Sequence, residues 1–242
     1  MAKRWYQEHQ RDPWRRQAKN SGYRTRSAFK LKQIQGRHGV LRLGDSVLDV
    51  GCHPGGWTQV AVEEVGSNGI VVGVDLHATD PVDGAQLLVG DVRKEETVDA
   101  IIERNGGQSY NAVVSDISPR LTGRYDTDQA ISLELSAVAL EIAVRILKPG
   151  GSFVTKAFQG TGIELLVKAC KNRFSFVRRF SPIASRNSSS EVYLVCKNMV
   201  PLGKLVKKSP SLEIADGLRQ LGILPDGDDD EDVSPAVGFR RI

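Results

Sequence analysis

Short apolar runs punctuate this chain at intervals and are bounded by Gly, Asp, Ser or Pro. Val47-Leu-Asp-Val50, Ile70-Val-Val-Gly-Val74, Leu87-Leu-Val89 and Ala112-Val-Val114 are too short for helices and nearly continuous in apolar character. Such runs fit strands buried on both faces of a sheet. They predict strands at 46–50, 70–75, 86–90 and 110–115, followed by 151–157, 174–180 and 190–197. Between them the polar and apolar residues repeat with helical spacing. Helices are expected from 27 to about 37, where Ala28, Leu31 and Ile34 share a face, and at 57–65, 94–104, 128–147 and 161–172. Pro149-Gly150-Gly151 stops the longest of these. Alternation of this kind implies an α/β fold, a seven-stranded, mostly parallel sheet with helices on both faces. No helix separates the last two strands, so the last is expected to run antiparallel.

The two ends break the pattern. The formal net charge is +4. Residues 1–38 hold eleven Lys or Arg against Glu8 and Asp12, which places +9 there and leaves −5 for the rest. Trp5, Tyr6, Trp14 and Tyr23 stand among these charges, and aromatic rings among cations suit stacking on nucleic-acid bases. Residues 1–20 are therefore expected to form a basic arm, partly helical and interrupted at Pro13. The regular pattern occupies 21–200. Residues 201–242 form an extension in which Asp226 to Asp232 carries six acids in seven positions, the composition of a disordered acidic tail.

Composition narrows the class. With 40% apolar residues in 242, a sizeable core can form. No run of 18 apolar residues suggests a membrane span, and the basic N-terminus lacks the apolar region of a secretory signal. Cys52, Cys170 and Cys196 are odd in number and widely spaced, which suits reduced thiols in a cytoplasmic protein rather than a disulfide frame or a metal site.

Candidate chemistry clusters at the predicted strand ends. Val47-Leu-Asp49-Val-Gly51 runs into Cys-His-Pro-Gly55-Gly56-Trp57, where glycine allows a ligand near the backbone and the next helix offers free N–H groups. The loop lacks the G-x-G-x-x-G spacing of dinucleotide sites and fits S-adenosylmethionine better, although an ordinary turn has the same ingredients. Asp75 and Asp91 close the next two strands. A carboxylate there can hold ribose hydroxyls, or it can merely cap a helix. Four further residues sit in separate motifs: Lys30 in Ser27-Ala-Phe-Lys-Leu31, Asp116 after Ala112-Val-Val-Ser115, Lys156 closing Gly151-Ser-Phe-Val-Thr155, and Glu191 opening Glu191-Val-Tyr-Leu-Val195. Each alone would be a surface ion pair by default.

Together, Lys30, Asp116, Lys156 and Glu191, with the Asp49–Trp57 loop, resemble the FtsJ/RrmJ family of RNA 2′-O-methyltransferases from about residue 20 to about 200. The resemblance implies a Rossmann-like class I fold that uses S-adenosyl-L-methionine. Gly55, Trp57 and Asp116 would then contact the methionine part, Asp75 the ribose and Asp91 the adenine amino group. Lys156 would accept the proton of a ribose hydroxyl, supported by Lys30, Asp116 and Glu191. A lysine serves as a base only after losing its own proton, which burial and a nearby cation favour. No metal is implied. The length and the basic arm look most like the ribosomal type, which modifies a uridine of large-subunit rRNA, as a monomer acting on rRNA or the ribosomal subunit and not on DNA. Cys52-His53 and the acidic tail depart from the bacterial form. A transfer-RNA enzyme of the same family is the alternative substrate reading. A non-catalytic RNA-binding module and a small-molecule methyltransferase are the alternatives of other classes. The first would be expected to have lost a member of the tetrad, and the second has no use for a basic arm.

Overall fold

The structure, a computed structural model, describes residues 13–119, 121–185, 190–201 and 208–224. The described residues open with α1 (Pro13–Asn20) and α2 (Ala28–His38). Strand β1 (Ser46–Val50), α3 (Gly56–Val65), β2 (Ile70–Asp75), β3 (Ala85–Val89), α4 (Glu95–Arg104) and β4 (Tyr110–Ser115) follow. Next come α5 (Tyr125–Ile146), β5 (Leu147–Phe158), α6 (Ile163–Lys171), β6 (Phe174–Phe180), β7 (Glu191–Met199) and α7 (Pro210–Gln220).

The seven strands form one sheet in the order β3-β2-β1-β4-β5-β7-β6. Strands β1 to β5 pair in parallel, and β7 runs antiparallel to both β5 and β6. The strand order reverses between β1 and β4. In open α/β sheets that switch point leaves a crevice at the carboxyl ends of the strands, where ligands bind.

Alternation along each strand feeds two cores. On one face Leu48, Val50, Val72, Val113 and Phe153 meet α4, α5 and α6 through Ile101, Leu140, Ala143 and Leu166. On the other, Val47, Val71, Val114, Val154 and Val195 meet α2 and α3 through Leu31, Ile34, Trp57, Val60 and Ala61. A fully buried Val, Leu or Phe contributes roughly 1.5–3 kcal/mol relative to its exposed state. These two layers therefore fix where the strand ends lie.

Two elements bear on the sequence expectation. Pro13 is the first residue of α1, and the stretch before it, residues 1–12, which the expected interruption also concerns, lies outside the described residues. A proline is tolerated in the first helical turn because the N–H it lacks would have no partner there. The second is α7, which the sequence reading does not contain. Ser209 caps it, its hydroxyl accepting from Leu212 N at 3.4 Å with Pro210 in the first turn. The helix packs on α5 and α6 with Ile214 buried. Its anchor is Arg173, only 1% exposed, whose guanidinium donates to Glu213 Oε2 at 2.7 Å and to the carbonyls of Ala169 and Lys208. The acidic run at 226–232 lies outside the described residues.

Candidate active site

The loop after β1 carries two backbone features that a side chain would prevent. Gly51 has φ +75°, and a Cβ there would lie 2.2 Å from Ile117 Cγ1. Gly55, at φ +107°, precedes α3, and its Cβ would meet the Arg24 guanidinium at 2.8 Å. Left-handed backbone of this kind strains any residue with a side chain. The turn thus sets the N-terminus of α3 after the end of β1, with no side chain capping its first N–H groups. Arg24 ties this turn to the loop after β2, donating to the carbonyls of Pro54 (3.0 Å), Asp80 (2.6 Å) and Pro81. His53 is part of the same packing: its N–H donates to Asp75 Oδ2 at 3.0 Å, and its ring Nδ1 lies 3.2 Å from the Ala78 carbonyl.

Three carboxylates end successive strands or follow them. Asp75 also accepts from His77 N at 2.8 Å through Oδ1, which the His77 ring Nδ1 approaches to 3.3 Å, so Oδ2 is the oxygen that keeps a lone pair. Asp91 is gripped by Arg93, with Nη2 2.6 Å from Oδ2 and Nε 2.9 Å from Oδ1. That hydrogen bonding holds the Asp91 carboxyl below the usual carboxylate range. Asp49 is different. It is 1% exposed, accepts from the Thr58 hydroxyl at 2.7 Å through Oδ2, and leaves Oδ1 buried with no partner. Burial pushes this acid up to about 7.

The four separated residues come together as two ion pairs. Lys156, near the end of β5, points Nζ at Asp116 Oδ1 (3.0 Å) and at the Asp116 carbonyl (2.7 Å). Lys30, from the first turn of α2, meets Glu191 Oε1 at 2.5 Å. Both lysine side chains are about nineteen-twentieths buried, at 5% and 6% exposure. Burial alone would raise both carboxyls. The Lys156 and Lys30 charges outweigh it at Asp116, as do Lys30 and the Ser185 hydroxyl at Glu191, and both acids stay below their ordinary values.

Tyr193 joins the pairs. It is fully buried, donates its hydroxyl to Asp116 Oδ1 at 2.6 Å, and stacks on Trp57 with ring centroids 5.6 Å apart. Lys30 Nζ lies 5.6 Å from its ring centroid. Burial and the adjacent Asp116 and Glu191 charges raise the phenol well above its usual value, which keeps it a donor. Trp57, reached from the loop, donates Nε1–H to the Ser27 carbonyl at 2.8 Å.

Every candidate catalytic or cofactor-binding residue thus lies at the carboxyl end of the sheet or on the helices that cover it. Lys30, Asp116, Lys156 and Glu191 form one cluster; Trp57 adjoins it through Tyr193; Gly55 precedes α3, Asp75 ends β2 and Asp91 follows β3. The sequence reading missed Tyr193, Ser185, Arg93 and Arg24. Tyr193 had a signal, since it stands two residues after Glu191 in a strand and so shares its face. Ser185, Arg93 and Arg24 act through loop geometry that no spacing announces.

The model of the FtsJ-like methyltransferase family matches residues 23–199. A curated relative from Methanothrix thermoacetophila, named ribosomal RNA large subunit methyltransferase E, is 47% identical over 191 residues, covering 79% of this chain and 74% of its own. One of the same name from Vesicomyosocius okutanii is 36% identical over 200 residues, covering 83% and 95%. A crystal structure of a ribosomal RNA methyltransferase from Plasmodium falciparum superposes with a TM-score of 0.67 at 26% identity, over 74% of this chain and 99% of that one. The family match spans the sheet and all four clustered residues, so the chain belongs to the FtsJ-like methyltransferase family.

Proposed function

We propose that this protein is an RNA methyltransferase that transfers a methyl group from S-adenosyl-L-methionine to the 2′-hydroxyl of a uridine in large-subunit (23S) rRNA. The observation that carries this reading is the buried Lys156–Asp116 pair, set beside Trp57 and the glycine turn at the switch point of the sheet. The relatives named as rRNA methyltransferases support the substrate class.

The residues present fit the cofactor. The Gly55 turn and Trp57 would hold its methionine part together with Asp116, Asp75 its ribose hydroxyls, and Asp91 its adenine amino group. Bound there, it supplies a methyl group on a sulfonium, open to in-line attack by an oxygen nucleophile. A ribose hydroxyl attacks well only when its proton is removed as the bond forms. Lys156 in its amine form takes that proton. Asp116 supplies two acceptors, Oδ1 and the backbone carbonyl, that fix the direction of Nζ. Tyr193 holds the same Oδ1 from the other side, which keeps the carboxylate from swinging. Lys30 and Glu191 form the far wall and orient the substrate ribose. Burial strengthens each of these electrostatic contacts.

The nucleophile itself selects RNA, because DNA lacks the 2′-hydroxyl. The protein is read as a monomer that works in the cytoplasm on rRNA or on the assembled subunit. Labelled methyl transfer to intact subunits, free rRNA and tRNA in parallel, with the modified nucleotide mapped, tests the reading. Methylation of a large-subunit rRNA ribose is expected. Transfer confined to tRNA would replace the substrate, and transfer to none of the three would overturn the function.

A further inference from the structure

Between Pro13 and Gly44 the chain carries nine Lys or Arg and no Asp or Glu. Its first element, α1, is amphipathic in an unusual sense. Trp14 and Ala18, four residues apart, fall on one side. Arg15, Arg16 and Lys19 occupy an arc of about 100° on the other, and all three are exposed. The apolar side is seated. Ala18, Phe29 and Ala184 form a small buried cluster, with Trp14 and Tyr23 packed against it and the Trp14 and Phe29 ring centroids 5.4 Å apart.

The seat lies next to the catalytic cluster on both sides. Phe29 precedes Lys30. Ala184 precedes Ser185, whose hydroxyl donates to Glu191 Oε1 at 2.5 Å. The Ala184 N–H donates to Gln33 Oε1 at 3.3 Å, and Arg26 reaches its carbonyl, so the loop after β6 is tied to α2. In the described start of that loop Ile183 is 82% exposed, although its neighbours Pro182 and Ala184 are buried. A large apolar side chain held out to solvent beside a basic helix matches the alternation of phosphates with sugar and base faces along a nucleic-acid strand.

We propose that α1 and the Ile183 loop form a preformed RNA-docking surface, in which Arg16 and Lys19 grip phosphates and Ile183 packs against a nucleotide next to the Lys30–Glu191 pair. The inference rests on the RNA methyltransferase reading and deepens it. Because α1 is seated on the neighbours of Lys30 and Ser185, an RNA strand held by it has a fixed register relative to the cluster. α1 then works as a rigid part of the site and not as a loose tether.

The test uses the full-length protein and large-subunit rRNA transcribed in vitro, with binding followed without turnover across a salt series. Arg16→Gln with Lys19→Gln should weaken RNA binding and make the slope of log affinity against log salt shallower by about 1.4–1.8, the value for two phosphate contacts. S-adenosylmethionine affinity should not change. Ile183→Ser should weaken RNA binding with the slope unchanged. Ala18→Glu, which unseats α1 while keeping its charges, should raise the RNA KM; its melting curve and cofactor affinity report whether the domain remains folded. Unchanged affinity and slope in the double variant would overturn the surface, and so would an Ile183→Ser protein that binds like wild type. These results stand apart from the function itself. RNA binding that depends on α1 with no methyl transfer would sink the methyltransferase reading and leave the surface; methyl transfer with α1-independent binding would do the reverse.

Discussion

Lys156 is held by burial, by the strand that carries it and by two acceptors on one residue, Asp116. Lys156→Ala should therefore lower the rate by about 10²–10⁴-fold, the usual contribution of a positioned base, with cofactor binding within a few fold of wild type by calorimetry. Lys156→Arg should be equally inactive, since a guanidinium does not release its proton in a protein. A variant that kept more than about a tenth of the rate would remove Lys156 from the role. Asp49 supports a prediction of a different kind. In the fold its carboxyl is raised from 3.8 to about 7, so it is neutral there at pH values where the unfolded chain ionises it. Its contribution to stability is full below about 4, declines between about 4 and 7, and is level above. Asn cannot ionise. The melting temperature of cofactor-free Asp49→Asn, relative to wild type, should thus rise from pH 5 to pH 8, and equal differences at the two pH values would show that Asp49 stays ionised in the fold.

At the scale of elements, the strands were the easiest to read. Continuous apolar runs such as Ile70–Val74 have one solution in a parallel sheet, and the observed strands fall within a few residues of those expected. The antiparallel last strand also followed from the sequence, because a parallel return needs a crossover that the chain does not supply. Helix α7 was not legible. Ser209-Pro210 is a good start signal, but Pro210–Gln220 is short and only weakly apolar, and its stability comes from contact with α5 and α6. The Arg173–Glu213 pair should dominate that contact. Glu213→Ala leaves a buried guanidinium without its partner, which typically costs about 3–5 kcal/mol, read as a lower urea midpoint. Removing residues 226–242 should by contrast leave both the midpoint and the maximal rate unchanged. A loss of activity in that folded, truncated protein would show that the acidic run belongs to the functional structure.

For the whole molecule, the uneven charge is the controlling feature. Residues 13–38 carry eight Lys or Arg and no acid, concentrated on the side of the sheet that carries α2 and the catalytic cluster, while the remainder of the chain is net acidic. Added salt should therefore raise the KM for RNA steeply and leave the KM for S-adenosylmethionine nearly constant, since only the first depends on counterion release. Equal salt effects on both would mean that the basic side does not meet the RNA.

The sequence by itself determined the sheet, its strand ends and the residue types placed there. Those follow from local pattern: period two or unbroken apolar runs, glycine where the backbone must turn left-handed, and lysines and carboxylates inside recurring motifs. Only the tertiary structure decided who meets whom. That Lys156 pairs with Asp116 and Lys30 with Glu191, that Tyr193 bridges to Asp116, that Arg93 occupies Asp91, and that Pro13 opens a helix seated on Phe29 and Ala184 all depend on contacts between positions far apart in the chain. Such contacts are set by how two hydrophobic layers close over one sheet, and no local pattern encodes that closure.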